Sequence, residues 1–124
     1  VFTFQTSVHG KVDAANESLL VTFDQALSAL EQLERMFIEP DGSFVWTGIA
    51  GDGQAWQVDG NLIDRGDRLA YVELKGRCPE LQLNQILAAI GWPNSSLAFE
   101  LTRRGVVVDE GEFRRLAASQ EGAA

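Results

Sequence analysis

The sequence predicts an α+β fold: a mainly antiparallel sheet, made of a meander over residues 43–76 plus N- and C-terminal strands, with two amphipathic helices on one face. Three observations lead there. Apolar residues recur every second position in some segments and at helical spacing in others. The segments with a period of two between 43 and 76 are joined by turns too short for parallel crossovers. The whole chain is 124 residues, a length that fits one domain with a core of its own.

Residues 1–12 alternate Phe2, Phe4, Thr6 and Val8 against Thr3, Gln5, Ser7 and His9, which predicts a strand with His9 solvated on its polar side. Asp13-Ala14-Ala15-Asn16 is turn-like, and Ser18–Thr22 suggests a short second strand. Thr22 followed by Gln25 has the spacing of a capping box. The helix it opens is expected to reach Phe37, because Phe23, Leu27, Leu30, Leu33 and Phe37 form one stripe with Glu31 and Glu34 off it. Pro40-Asp41-Gly42 closes that segment. Ser43–Ile49 is the next strand, with Phe44 and Trp46 on one side and Val45 and Thr47 on the other, and Gly51-Asp52-Gly53 turns the chain back.

Gln54–Gly76 forms a hairpin. Trp56, Val58 and Leu62 share a face with Ala70, Val72 and Leu74, while Gln57, Asp59 and Asn61 share the other with Leu69, Tyr71, Glu73 and Lys75. A three-residue loop Asp64-Arg65-Gly66, with Gly66 left-handed, pairs Gln57 with Glu73 and Asp59 with Tyr71. Cys78 and Pro79 then sit at the N-cap and first position of a second helix carrying Leu83, Ile86, Leu87 and Ile90, with Gly91 placed to end it. Leu97, Phe99 and Leu101 alternate as a further strand, Val106–Val108 make one more, and a short helix from Asp109 or Glu110 packs Phe113 and Leu116 inward. The expected organisation is one domain over 1–116 and a frayed tail over 117–124.

Eighteen acidic residues against ten Lys and Arg leave a formal charge of −8. That opposes nucleic-acid binding, which needs cations against phosphate, and favours at most a basic partner. The single cysteine rules out an internal disulfide and a cysteine-rich zinc site. Cys78 before a helix start is a setting that can lower a thiol pKa, but no base is paired with it. No apolar run is long enough for a membrane span. One thiol and no signal-peptide pattern lead to a cytoplasmic expectation, although Val1 is not an initiator methionine. The glycine run from Gly48 to Gly53 lacks the Lys-Ser/Thr of a phosphate loop and follows a strand, so it is a hairpin turn. His9 is the only histidine, which leaves Ser95 and Ser96 without a catalytic partner.

One group carries candidate chemistry. Asp59 and Glu73 are diagonal neighbours on one strand face, about 7–8 Å apart at that spacing. Two such carboxylates suit a hard divalent cation, and Lys75 beside them would orient or deprotonate an attacking water. Glu31 and Glu34 are the further acidic donors available. Asp59 in QVDGN and Glu73-Leu74-Lys75 in VELKG resemble the metal motif of the PD-(D/E)xK nuclease superfamily. The order helix, three strands, helix, strand over about Thr22–Thr102 is also similar to that core. The resemblance implies Asp59 and Glu73 as metal ligands, Lys75 as the third catalytic residue, and Mg²⁺ as the cofactor. Val58 stands where that family often has proline.

Outside that resemblance no cofactor is expected, and Glu73 and Lys75 are a solvated strand face. Trp46, Tyr71 and Trp92 are then the candidates for a binding patch, as aromatic side chains that combine apolar area with a polar edge. Two function classes follow. The first is a small acidic, non-catalytic binding or assembly domain acting through protein contacts, with a protein partner or a second copy. The alternative is a metal-dependent nuclease-like core, active or not.

Overall fold

The computed structural model describes residues 1–12 and 15–119. The elements run β1 (Phe2–Val12), β2 (Ala15–Glu17), α1 (Phe23–Glu31), β3 (Met36–Ile38), β4 (Ser43–Ile49), β5 (Ala55–Arg65), β6 (Arg68–Cys78), α2 (Glu80–Ala89), β7 (Leu97–Leu101), β8 (Val106–Asp109) and α3 (Glu110–Ala118). The strands form one sheet in the order β3-β4-β5-β6-β1-β7-β8, with β2 paired to the far end of β1. Every ladder is antiparallel. The α+β class, the antiparallel meander and helices packed on one face are therefore as expected, with β3 added to the meander.

Alternation sorts the strand residues cleanly. Phe4, Thr6 and Val8 of β1, Phe44 and Trp46 of β4, Trp56, Val58 and Leu62 of β5, Val72 and Leu74 of β6, and Phe99 and Leu101 of β7 are buried on one face. There they meet Ala26 and Leu30 of α1, Leu83, Ile86 and Leu87 of α2, and Phe113 and Leu116 of α3 in a single core. A fully buried Leu, Ile or Phe contributes about 1.5–3 kcal/mol. Phe113 lies between Phe99, stacked at 4.2 Å, and Phe4 at 6.0 Å, and so pins α3 to β1 and β7. Among the described residues Thr6 is the one buried polar residue on this face, and its hydroxyl donates to the Glu100 carbonyl at 2.8 Å.

Two cross-strand pairs set glycine against an aromatic ring: Phe44 opposite Gly60, and Trp56 opposite Gly48. A Cβ on Gly60 would lie 2.0 Å from Phe44 Cζ, and one on Gly48 2.4 Å from Trp56 Cζ2. The missing side chains let both rings lie flat on the neighbouring strand, with Trp46 edge-on to Trp56 at 5.1 Å. Close backbone approach of this kind is one reason for glycine in a strand.

Several expectations need correction. The capping box exists, with Thr22 Oγ1 accepting from Gln25 N–H and Gln25 Oε1 accepting from Thr22 N–H, but α1 stops at Glu31. Arg35 takes φ +68 and breaks the helical course. Met36-Phe37-Ile38, rich in β-formers, then pairs with Phe44-Val45-Trp46 as β3. Phe37 thereby leaves the helical stripe and is 63% exposed. Ser18–Thr22 is a connector, held by the Leu19 N–H to Leu69 O bond, while the short second strand is Ala15–Glu17. Of the expected turn, Asp13 and Ala14 lie outside the described residues. Pro79, expected at the first helical position, is instead the N-cap of α2, so the helix starts one residue later than expected, and Gly91 follows its end at φ +119. The expected tail boundary falls inside α3, where Ala117 is fully buried, and residues 120–124 lie outside the described residues.

The hairpin register also differs. Asp59 is opposite Lys75 and Asn61 opposite Glu73, four positions from the expected pairing. The turn is the two residues Gly66-Asp67, with Gly66 at φ +67, as the first central position of a type II′ turn requires. A bulge compensates: Ile63 pairs with Tyr71 and Asp64 with Leu69, which leaves Ala70 as the extra residue. It rotates Leu69 inward, where it is fully buried. A shift of four is even, so the faces from Gln57 to Ile63 and from Tyr71 to Arg77 stay as expected.

Candidate functional site

Among the described residues the second face of the sheet carries no helix. In register across it run Val45, Asp59, Lys75 and Gln5, with Asn61, Glu73, Ser7 and Glu100 in the next row. Asp59, Glu73 and Lys75 do share one depression of about 270 Å³, together with Gln5, Ser7 and Asn61. Asp59 Oδ1 accepts from Gln57 Nε2 at 2.9 Å. No ion pair joins Asp59 or Glu73 to Lys75 among the described residues. Glu31 and Glu34 belong to α1 and the turn after it, on the helical face of the sheet, and so do not complete this cluster. No group of three His, Cys, Asp or Glu with metal-holding geometry occurs among the described residues.

The three aromatic candidates do not assemble into a patch. Trp46 is 4% exposed and donates its indole N–H to the Glu34 carbonyl at 2.7 Å. Tyr71 stacks on His9 on the open face at 5.1 Å. Trp92 packs against the core from the loop after α2, under the Arg114 guanidinium at 5.0 Å. One β-hydrogen-bonded row cannot present all three, because Trp46 is on the helical face and Tyr71 on the open one.

His9 departs from the solvated residue expected: its side chain is 13% exposed. Its Nε2 is 3.6 Å from Glu100 Oε1, beyond hydrogen-bond distance, and has no hydrogen-bond partner among the described residues. Burial pushes the imidazole pKa down, against the upward pull of the Glu100 carboxylate. Cys78 is fully buried, and burial pushes its thiol up to about 12, the opposite of an activated nucleophile.

A feature absent from the sequence expectations lies at the β3 edge. The β3–β4 ladder stops at Met36–Trp46, yet β4 continues to Ile49. Ala50 N–H bonds to Gln54 O toward β5. In an antiparallel ladder the bonding direction alternates. The Thr47 C=O and both backbone groups of Ile49 therefore turn to the side beyond the end of β3, while the Thr47 N–H lies opposite Arg35. A depression flanks this free segment on each face. On the helical side, about 350 Å³ is lined by Leu33, Trp46, Trp56, Leu81 and Gln85 among others. On the open side, about 360 Å³ is bounded by Arg35, Ile49, Gln57 and Arg77. Ile49 and Leu81 are 62% and 63% exposed. The signal in the sequence was the Arg35-Met36-Phe37-Ile38 break from helical to strand chemistry, which the apolar spacing of Leu33 and Phe37 masks.

Among the described residues, no helix is long and apolar enough to cross a membrane. Compared with known proteins, the chain finds no significant match to a family model, a curated protein or a solved structure.

Proposed function

We propose that this chain is a small acidic, non-catalytic binding domain that takes an extended segment of a partner protein along the free part of β4. The observation that supports it most is the outward-turned backbone of Ile49, with the Thr47 C=O, between two depressions. Strand addition draws affinity from main-chain hydrogen bonds and specificity from pockets for alternate side chains, one set on each face. Here the helical-side pocket offers Leu33, Leu81 and the edges of Trp46 and Trp56 to an apolar side chain, with Glu34, Gln82 and Gln85 also on its wall. The open-side pocket offers Arg35 and Arg77 and no carboxylate. The fitting segment therefore carries an apolar residue next to an acidic one. The formal charge of −8 disfavours acidic ligands at long range, but that field is screened within about 8–10 Å at physiological salt, so the two arginines decide the contact. A short synthetic peptide alternating Leu and Glu should shift the amide resonances of Thr47 and Ile49, and a Leu/Lys peptide should do so less. Ile49→Glu should abolish the effect. Equal responses to both peptides, or none, would remove the proposal.

The convergence of Asp59, Glu73 and Lys75 in one depression favours a second reading, the nuclease-like core with Mg²⁺. Calorimetry of Mg²⁺ or Mn²⁺ against the protein and Asp59→Ala, alongside a DNA or RNA cleavage assay, tests it. Binding that vanishes in the variant, with cleavage, would support it.

A further inference from the structure

We propose that two copies of this chain join through β8, edge to edge and antiparallel about a two-fold axis at Val107. The site is at the opposite end of the sheet from the β4 groove and is independent of it. Three observations carry the proposal.

The first is the direction of the free backbone. Thr102 N–H bonds to Gln5 O and Lys11 N–H to Ser96 O, so the even-numbered residues of β7 bond toward β1. By alternation Phe99 and Leu101 bond toward β8, to their partners Val108 and Val106. Val107 then directs both its N–H and its C=O away from the sheet, as do Gly105 C=O and Asp109 N–H. Centring a two-fold axis on Val107 places it against itself and Gly105 against Asp109 of the second copy. Those are the groups that point outward, so this register wastes none of them.

The second is the side chains. β8 is the terminal strand, and its stretch Val106-Val107-Val108 has no charge, proline or bulge to discourage pairing. Val106 and Val107 are 45% and 51% exposed. In the two-fold register Val106 faces Val108 of the second copy on the helical side, and Val107 faces its own equivalent on the open side.

The third is charge. Arg103 and Arg104 precede β8 and make no ion pair among the described residues. Asp109 closes β8, and Glu110 and Glu112 after it are paired with Arg114 and Arg115 within α3. An antiparallel second copy brings the arginine end of each strand beside the acidic end of the other. A parallel copy would set like charges together. A two-fold contact is self-complementary by construction, as isologous interfaces must be.

Sedimentation equilibrium of the full chain up to sub-millimolar concentration is the test. The wild type should dimerise. Val107→Lys, which puts two lysines on the axis, and Arg104→Glu, which sets acid against acid, should each weaken the dimer at least about tenfold, or 1.4 kcal/mol. Circular dichroism would confirm that both variants fold, as exposed positions allow. Ile49→Glu, at the other edge, should leave the dimer unchanged. A wild type that stays monomeric overturns the proposal. A dimer that resists both Val107→Lys and Arg104→Glu, or dissociates with Ile49→Glu instead, does so too.

Discussion

Gly60→Ala is the sharpest test of how the sheet packs. The new Cβ would sit 2.0 Å from Phe44 Cζ and 2.4 and 2.5 Å from the two Cε atoms. Ordinary contacts begin near 3.4 Å, so the ring has to retreat by more than 1 Å. Phe44 is 3% exposed and has no solvent to retreat into. Overpacking of this kind costs about 1–3 kcal/mol. Gly60 is not at positive φ, so alanine also gains about 0.4–1 kcal/mol by restricting the unfolded chain. The net expectation is a loss of about 1–2 kcal/mol, or roughly 4–8 °C in Tm for this length. Urea denaturation should show a lower midpoint at unchanged slope. Gly51→Ala is the control, since a Cβ there meets nothing within 4 Å. Shrinking the ring should relieve the clash, so Gly60→Ala with Phe44→Leu should lose less than the sum of the single losses, with coupling of about 0.5–3 kcal/mol. A Gly60→Ala loss under about 0.5 kcal/mol, or strict additivity, would refute the flat-ring account.

Two further outcomes follow from the titratable groups. Cys78, with its thiol pushed up to about 12, should stay unreactive toward an aromatic disulfide reagent at pH 8 in the native protein and react fully in urea; rapid native labelling would contradict its burial. Burial holds the folded His9 pKa below its ordinary value of 6.5, so the unfolded chain takes up the proton first as pH falls. Its contribution is whole above pH 6.5 and is lost as pH drops from there toward the folded pKa; the midpoint of urea unfolding in His9→Gln should lack that decline, and a His9 resonance titrating above 6.5 would reverse the sign.

Much of the fold was legible because face assignment needs only parity. Asp59, Glu73 and Lys75 share a face whether the hairpin pairs as expected or four positions away, and their common depression follows from that. Register needed the turn, and Gly66 serves a two-residue and a three-residue loop equally well. The bulge at Ala70 made up the difference and is invisible in composition. β3 was hidden by coincidence: Phe37 falls at helical spacing from Leu33, and three residues are too few to show a period of two. The free edge of β4 exists only because β3 is short, so it was illegible for the same reason. His9 reads as polar-face from its position, but its burial comes from Tyr71 on a strand more than sixty positions away.

The place of β1 has a consequence for how the chain acquires its shape. β1 comes first in sequence among the strands, yet lies in the middle of the sheet, and it alone joins the β3–β6 meander to the β7–β8 hairpin. Its Thr6 to Glu100 bond spans 94 positions. Non-local closure of this kind slows folding. At about 5–20 residues per second of synthesis, β1 waits roughly 5–20 s for β7 to be made. During that interval the meander can form alone, but the sheet cannot be completed. A separate peptide with the sequence of β1, added while the chain is still incomplete, would compete for the slot between β6 and β7 and trap the two halves with the wrong first strand.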